Sequence, residues 1–377
     1  MIIERNIKKD IEKQLFKGKV VIIYGPRRVG KTTIVKEIIA PYKDDARYIN
    51  CDILENRQAL EVADDKKLRD FLGKGKLFVL DEAQRVLNIG LTLKILVDAY
   101  PEIQIIATGS SSFDLSNKIK EPLTGRNVSF ALYPISVSEL KSSRVDDFSF
   151  EKNLTGLLRF GAYPEIASGK AEDPIQYLKE LSSNYLYKDA LEYDGVKKPE
   201  ILIKLLQLLA FQIGNEVSYN EIATKLAVNR DTVIRYIDLL EKAFVIFRLP
   251  PFSRNLRNEI GKKNKIYFYD LGIRNALASA FGEIDSREDV GALWENFCIV
   301  ERQKMIQDRK WHRNIFFWRT QSKKEIDYIE EYNNQLYGYE FKWGTGKYSI
   351  PKEFIDEYKN SSVAIINRSN CQEFLGI

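Results

Sequence analysis

The sequence predicts an α/β protein: a parallel-sheet core, then a helical stretch, a helix-turn-helix and a second, C-terminal α/β domain. Three observations carry this. Over the first 150 residues short β-branched runs alternate with amphipathic stretches. From Phe150 to about Ala210 the periodicity is helical. Beyond Asp285 a helix precedes three strand-like runs.

In order, Lys19–Tyr24 is a bounded, β-branched run that reads as a buried strand, and Leu77–Leu80 and Ile103–Ala107 are two more. Helical patterns fall between them at Thr32–Ala40 and Leu91–Ala99. Strands alternating with helices imply a parallel sheet covered on both faces. The next helical region is broken by Gly161-Ala-Tyr-Pro164. Ser218–Leu249 reads as two helices, a tight turn and a strand at Phe244–Phe247. A helix at Val290–Gln307 leads to strands at Asn314–Thr320, Glu325–Tyr332 and Gln335–Trp343, the last two joined by an Asn333-Asn334 turn. The expected domains are 1–150, 151–210, 211–284 and 285–377.

Composition excludes several chemistries. Among 377 residues, Lys+Arg 58 against Asp+Glu 53 gives +5, too mild to argue for nucleic acid without local clusters. His312 is the one histidine, which speaks against a His-centred triad or a His-rich metal site. Cys51, Cys298 and Cys371 are too scattered for a zinc site or a disulfide framework. The charged start, Met1–Asp10, does not fit a signal peptide, and no apolar run is long enough to cross a membrane. A soluble, cytoplasmic protein is expected.

Gly25-Pro-Arg-Arg-Val-Gly30-Lys31-Thr32 fits G-x-x-x-x-G-K-[ST]. Chance supplies this in roughly one chain in a hundred of such length. The loop follows an expected strand and opens an expected helix, as phosphate binding requires. Its glycines let backbone N–H groups turn inward, and the helix dipole favours an anion. The expected cradle is Gly25, Pro26, Arg27, Arg28, Val29, Gly30, Lys31, Thr32 and Thr33. Lys31 would reach the β- and γ-phosphates and Thr32 would ligate Mg²⁺, making ATP and Mg²⁺ the expected cofactors. Arg27 and Arg28 would add charge or face solvent.

The strand Leu77–Leu80 ends in Asp81-Glu82. Asp81 is placed to hold the Mg²⁺ shell and Glu82 to polarise the attacking water. A capping pair at a strand–helix junction is the simpler alternative. After Ile103–Ala107 comes Thr108-Gly109-Ser110-Ser111, where Ser110, or secondarily Thr108, could touch the γ-phosphate or the water. A strand-ending turn would look the same.

These three elements, in this order, resemble the AAA+ branch of P-loop ATPases. A narrower resemblance, to prokaryotic AAA+ ATPases with a poorly characterised C-terminal region, is carried by several stretches. They are Gly25–Thr33, Leu80–Gln84, Thr108–Ser112, Leu123–Arg126, Leu132–Ser136, Glu139-Leu140, Phe160–Glu165, Tyr185–Asp189 and Lys265–Gly272. The resemblance implies an AAA+ core, a helical lid, a winged helix and a nuclease-like terminal domain. It also implies that Arg126 can act as a finger on a neighbouring subunit, which would need a homo-oligomer. In the lid, Arg159 is the residue considered for a second sensor.

Ser218–Leu226 and Arg230–Leu240, joined by Ala227-Val-Asn229 with Asn229 as N-cap, match a helix-turn-helix. Ile222, Leu226, Val233, Ile237 and Leu240 are expected inward, with Arg230, Thr232, Arg235 and Tyr236 nearer the outer face. Arg230, Thr232 and Arg235 are the candidate DNA contacts. A stretch containing Arg248, Arg254, Arg257, Lys262, Lys263 and Lys265 adds local positive charge. Packing of this unit against the nucleotide domain is the alternative.

In the last domain Glu325-Ile-Asp327 lies on one strand and Glu340-Phe-Lys342 on its hairpin partner. Side chains two apart on a strand share a face. Asp327, Glu340 and Glu295 could therefore hold Mg²⁺, and Lys342 could help generate a hydroxide for phosphodiester attack. The order resembles the PD-(D/E)XK nuclease fold. Cross-strand ion pairing, or a nuclease fold retained without cleavage, stays open. Two functions follow: an ATP-hydrolysing protein acting on DNA, or a regulatory ATPase switch on a protein partner with an inactive nuclease-like domain.

Overall fold

The computed structural model describes residues 3–110, 123–143, 149–185, 198–253, 263–320, 322–344 and 348–377. Ser111, Ser112, residues 186–189, Arg254, Arg257 and Lys262 lie outside the described residues. The chain forms two compact units: Ile2–Ile135 with Lys242–Phe244, and Ser136–Glu241 with Val245–Ile377.

The first unit is a five-stranded parallel sheet: β1 (Val20–Tyr24), β2 (Ala46–Asn50), β3 (Leu77–Asp81), β4 (Gln104–Gly109) and β5 (Asn127–Ala131), ordered β2-β3-β4-β1-β5. Every residue of β3 and β4 is buried, as expected for strands flanked on both sides and covered by helices. Phe78, Leu80 and Ile105 join Leu68, Leu93 and Leu96 of the covering helices in one apolar cluster. Because β1 neighbours β4 rather than β2, the strands' C-terminal ends open a crevice, where ligands of such sheets bind. The register sets what reaches it. Ile23 faces Thr108 and Leu80 faces Ala107, so the loop after β1, Asp81-Glu82 and Ser110 all emerge on that edge.

In the second unit, helices Phe150–Phe160, Pro164–Ala167, Pro174–Glu180 and Pro199–Phe211 precede Tyr219–Leu226 and Arg230–Lys242. Asn229 Oδ1 accepts from Thr232 N at 2.7 Å, the expected cap, and Ala227 makes the turn at φ +53°. An antiparallel pair follows, β6 (Ile246–Leu249) and β7 (Lys265–Phe268). Beyond the buried helix Val290–Asp308 lie β8 (Asn314–Arg319), β9 (Glu325–Tyr332), β10 (Gln335–Phe341) and β11 (Ser361–Ile366), in the order β11-β10-β9-β8. Only β10 and β11 run parallel. Asn333 and Asn334 turn between β9 and β10 at φ +50° and +59°, as a type I′ hairpin requires.

Two stretches of the family resemblance prove to be one packing joint. Asp270 Oδ2 accepts from Ala162 N at 2.7 Å, and Asn275 Nδ2 donates to Leu158 O and Arg159 O at 2.9 Å each. A Cβ on Gly272 would stand 2.2 Å from Phe160 O, which is backbone and cannot turn aside. Gly272→Ala should therefore lower the unfolding free energy by about 3 kcal/mol, read from urea midpoints. An unchanged midpoint would show that the two helices can slide apart.

Candidate functional site

The loop between β1 and the helix Lys31–Ile39 is shaped by its glycines. Gly25 has φ +152°, and a Cβ there would lie 2.1 Å from Leu132 O; Gly30 stands at φ +97°. Only glycine meets both demands cheaply. Arg5 ties the loop down, donating to Val29 O at 2.7 Å and to Tyr133 O at 2.6 Å. Pro26 and Val29 are buried, Arg27 and Thr32 half-buried, and Arg28 and Thr33 exposed. Lys31 is 5% exposed, and its Nζ donates to Gly25 O at 2.9 Å and Pro26 O at 2.8 Å. The ammonium is thus folded over the cradle, held by neutral carbonyls.

Asp81 gathers three hydroxyl donors. Thr32 Oγ1 donates to Oδ2 at 2.9 Å, and Tyr48 Oη and Thr108 Oγ1 donate to Oδ2 and Oδ1. Thr108 is fully buried and also accepts from Glu82 N at 3.2 Å. It therefore orients the acidic pair. Burial, then the Asp81 carboxylate, pushes the Tyr48 phenol up, so it stays a donor. Glu82 sits at φ +55°, ψ +41°, a conformation that costs a non-glycine residue about 1–3 kcal/mol. Gln84 Nε2 donates to Glu82 Oε2 at 2.5 Å and to Ser110 Oγ at 3.1 Å. The structure thus brings Lys31, Thr32, Asp81, Glu82 and Ser110 to one sheet edge. It adds Arg5, Tyr48 and Gln84, which sequence reasoning missed; only Gln84, within the quoted Leu80–Gln84 stretch, carried any signal. Thr32 and Asp81 present hard oxygens side by side, a donor set that fits Mg²⁺. When bound, the ion would neutralise phosphate charge.

Other expected residues lie on other elements. Arg126 is half-buried, and its Nε pairs with Asp98 Oδ1 at 2.6 Å. Arg159 Nε donates to Phe281 O at 2.6 Å, and the guanidinium pairs with Glu283 at 2.5 Å. On the helix-turn-helix, Arg230 and Arg235 are exposed and Thr232 half-buried. Tyr236 corrects the expectation: it is 2% exposed, buried on the same helix as Val233 and Ile237. The basic stretch is also weaker than its sequence. Arg248 is bound to Asp238 and Glu241, Lys263 is exposed, and Lys265 is a core residue at 1% exposure.

Lys265, on β7, reaches the acids of the last domain. Its Nζ lies 3.0 Å from Glu295 Oε1 and 3.8 Å from Asp327 Oδ1, and also contacts Glu325 Oε1. The Phe317 ring centroid lies 5.5 Å away. Burial opposes the ammonium, but Glu295, Tyr267, Asp327 and Glu325 together hold its pKa well above the usual lysine value. Tyr267 Oη donates to Glu295. Asp327 Oδ2 is taken by Phe341 N at 3.0 Å. Lys342 Nζ donates to Glu340 Oε1 at 2.6 Å, so these two share a face as expected. Glu340 Oε2 is buried with no hydrogen-bond partner. Burial first, then Asp327, raises the Glu340 carboxyl to about 7, and burial raises Glu295 to about 7 against the pull of Lys265. Arg319 touches Glu325 at 3.5 Å. Four carboxylates thus meet three cations of their own chain, and among the described residues no trio of His, Cys, Asp or Glu stands in metal-holding geometry.

Sheet and phosphate loop together have the arrangement of a P-loop nucleotide-binding core. Residues 17–141 match the family model described as AAA domain. Residues 151–283 and 290–374 match two models described as domains of unknown function, DUF8612 and DUF4143. An uncharacterized protein of Mycobacterium tuberculosis is 27% identical over 347 residues, 91% of this chain and 74% of that one. One from Methanocaldococcus jannaschii is also 27% identical over 347 residues, covering 86% and 74%. Among solved structures, the chain is similar to the Thermotoga maritima RuvB Holliday junction branch migration motor. The TM-score is 0.35 at 20% identity, covering 65% of this chain and 89% of that one. No helix among the described residues is long and apolar enough to cross a membrane.

Proposed function

We propose that this protein is a cytoplasmic AAA+ ATPase that hydrolyses ATP with Mg²⁺ and uses the cycle to change its hold on DNA. The observation that carries the hydrolytic part is the shared edge: Lys31 over the phosphate cradle, Thr32 against Asp81, and Glu82 tethered through Gln84 to Ser110. In this reading Lys31 neutralises the β- and γ-phosphates, Thr32 and Asp81 hold the metal, and Glu82 takes the proton of the attacking water. Gln84 positions that carboxylate and Ser110 lies beside the γ-phosphate. Gln84→Ala should lower kcat about tenfold with KM for ATP nearly unchanged, the signature of a misplaced group. A parallel rise in KM would make Gln84 a nucleotide-binding residue instead.

The division into core 1–150, lid 151–210, winged helix 211–284 and nuclease-like domain 285–377 belongs to the same proposal. The strand pair β6–β7 after the two helices, with a Glu216–Lys265 bridge beside it, supports the wing. Arg230, Thr232 and Arg235 would then meet DNA, and Arg126, on the surface, would serve a neighbouring subunit. The test is DNA affinity without nucleotide, with ADP and with ATP, at several salt concentrations. Equal affinity in all three would overturn the DNA reading.

One observation favours a second reading, a regulatory switch on a protein partner whose C-terminal domain does not cut: the acidic cluster already holds Lys265. A pull-down returning one protein and no nucleic acid would support it. Mg²⁺-dependent nicking that disappears in Asp327→Ala would end it.

A further inference from the structure

We propose that Lys265 is the resident cation of the C-terminal acidic cluster, standing in for the divalent ion that a nuclease-like domain would carry. The inference rests on reading residues 285–377 as that fold. Nζ sits among Glu295, Glu325 and Asp327, with the Phe317 ring beside it and 1% of the side chain exposed. Strand pairing fixes the lysine: Lys265 is opposite Leu249 in β6, and at the other end of β7 Asn296 binds Phe268 through both N and O at 2.8 Å. The ammonium is therefore delivered by a backbone that is held on both sides of β7.

A metal ion does not fit beside it. Both oxygens of Asp327 are engaged, one with Lys265 and the other with Phe341 N. A dication on Asp327 Oδ1 would lie no more than about 6 Å from Nζ. Two such charges in a buried site repel strongly. The orphaned Glu340 Oε2 offers a single ligand, on a carboxylate whose other oxygen already accepts from Lys342. The chemistry of the set is that of a salt-bridged core built on a metal-site frame, and the lysine comes from the segment before it, residues 151–283.

The experiment titrates Mn²⁺ into nucleotide-free full-length protein, following binding by calorimetry and melting by fluorescence. Wild type should behave as Asp327→Asn does, with no site lost between them. Lys265→Ala, or Lys265→Met where the alanine variant does not fold, should take up one further Mn²⁺ at least about tenfold more tightly than wild type. Its melting temperature should rise with Mn²⁺, and Asp327→Asn in the same background should abolish both effects. A wild-type site that vanishes in Asp327→Asn would overturn the proposal while leaving the nuclease-like reading intact. Folded Lys265 variants that bind no Mn²⁺ would remove both, since the carboxylates would then not be a metal frame. Should neither variant fold, the wild-type comparison with Asp327→Asn still decides.

Discussion

Glu82→Gln is expected to slow ATP hydrolysis by about 10²–10⁴-fold, the usual worth of a positioned general base, while ATP remains bound. Glutamine keeps the volume and one carbonyl oxygen, so it can still accept from Gln84 Nε2, which now stands 2.5 Å from Glu82 Oε2. The backbone hydrogen bond from residue 82 to Thr108 Oγ1 at 3.2 Å is untouched. What disappears is basicity. The left-handed conformation of Glu82 points the same way. A strain of about 1–3 kcal/mol persists only where neighbours impose it, and here Thr108, Gln84 and the buried end of β3 do so. Single-turnover phosphate release measures the rate, and filter binding measures retained ATP. Normal turnover in the variant would hand the water to another residue, with Ser110 the nearest alternative along the Gln84 bridge.

The sequence made this edge readable because the strands that build it are buried on both faces. β1, β3 and β4 are near-continuous apolar runs, and each ends in the residues that matter. β2 and β5 escaped notice for the converse reason. They are edge strands with half-exposed faces, and Ala46–Asn50 and Asn127–Ala131 carry too few apolar residues to stand out. Tyr48 lies on β2, so the third donor to Asp81 was hidden with it. The helix-turn-helix was legible from its caps. Tyr236 was misjudged because helical spacing alone placed it at the margin of the buried stripe, where a large ring turns inward.

Lys265 shows what linear reading cannot reach. In sequence it closes a run of bases and looks like a surface charge. In the structure it pairs with carboxylates from a helix and a strand that follow 30 and more residues later. A lysine becomes a core residue only if partners offset its desolvation, and those partners are set by tertiary packing. The E-x-K pattern was read correctly as one face, yet its charge balance depended on a residue outside the expected domain.

Lys31→Ala should abolish nucleotide binding, with affinity falling at least about 100-fold, or ~2.7 kcal/mol. Hydrogen bonds from a charged donor contribute about 1.5–3 kcal/mol each, and the proposed role gives this ammonium two phosphates to bind. Without nucleotide the variant should fold nearly as well as wild type. The buried ammonium donates to the neutral carbonyls Gly25 O and Pro26 O, and removing it also removes the desolvation its burial costs. The separation of the two effects is the test. Wild type should gain about 2.7 kcal/mol of stability at 100 times the dissociation constant of Mg-ATP, and Lys31→Ala no more than about 0.4 kcal/mol at the same concentration. Thermal melts with and without nucleotide read both quantities on one sample. If the variant melts like wild type and gains as much stability with ATP as wild type does, the nucleotide lies elsewhere, and the edge formed by Asp81, Glu82 and Ser110 loses its assigned chemistry.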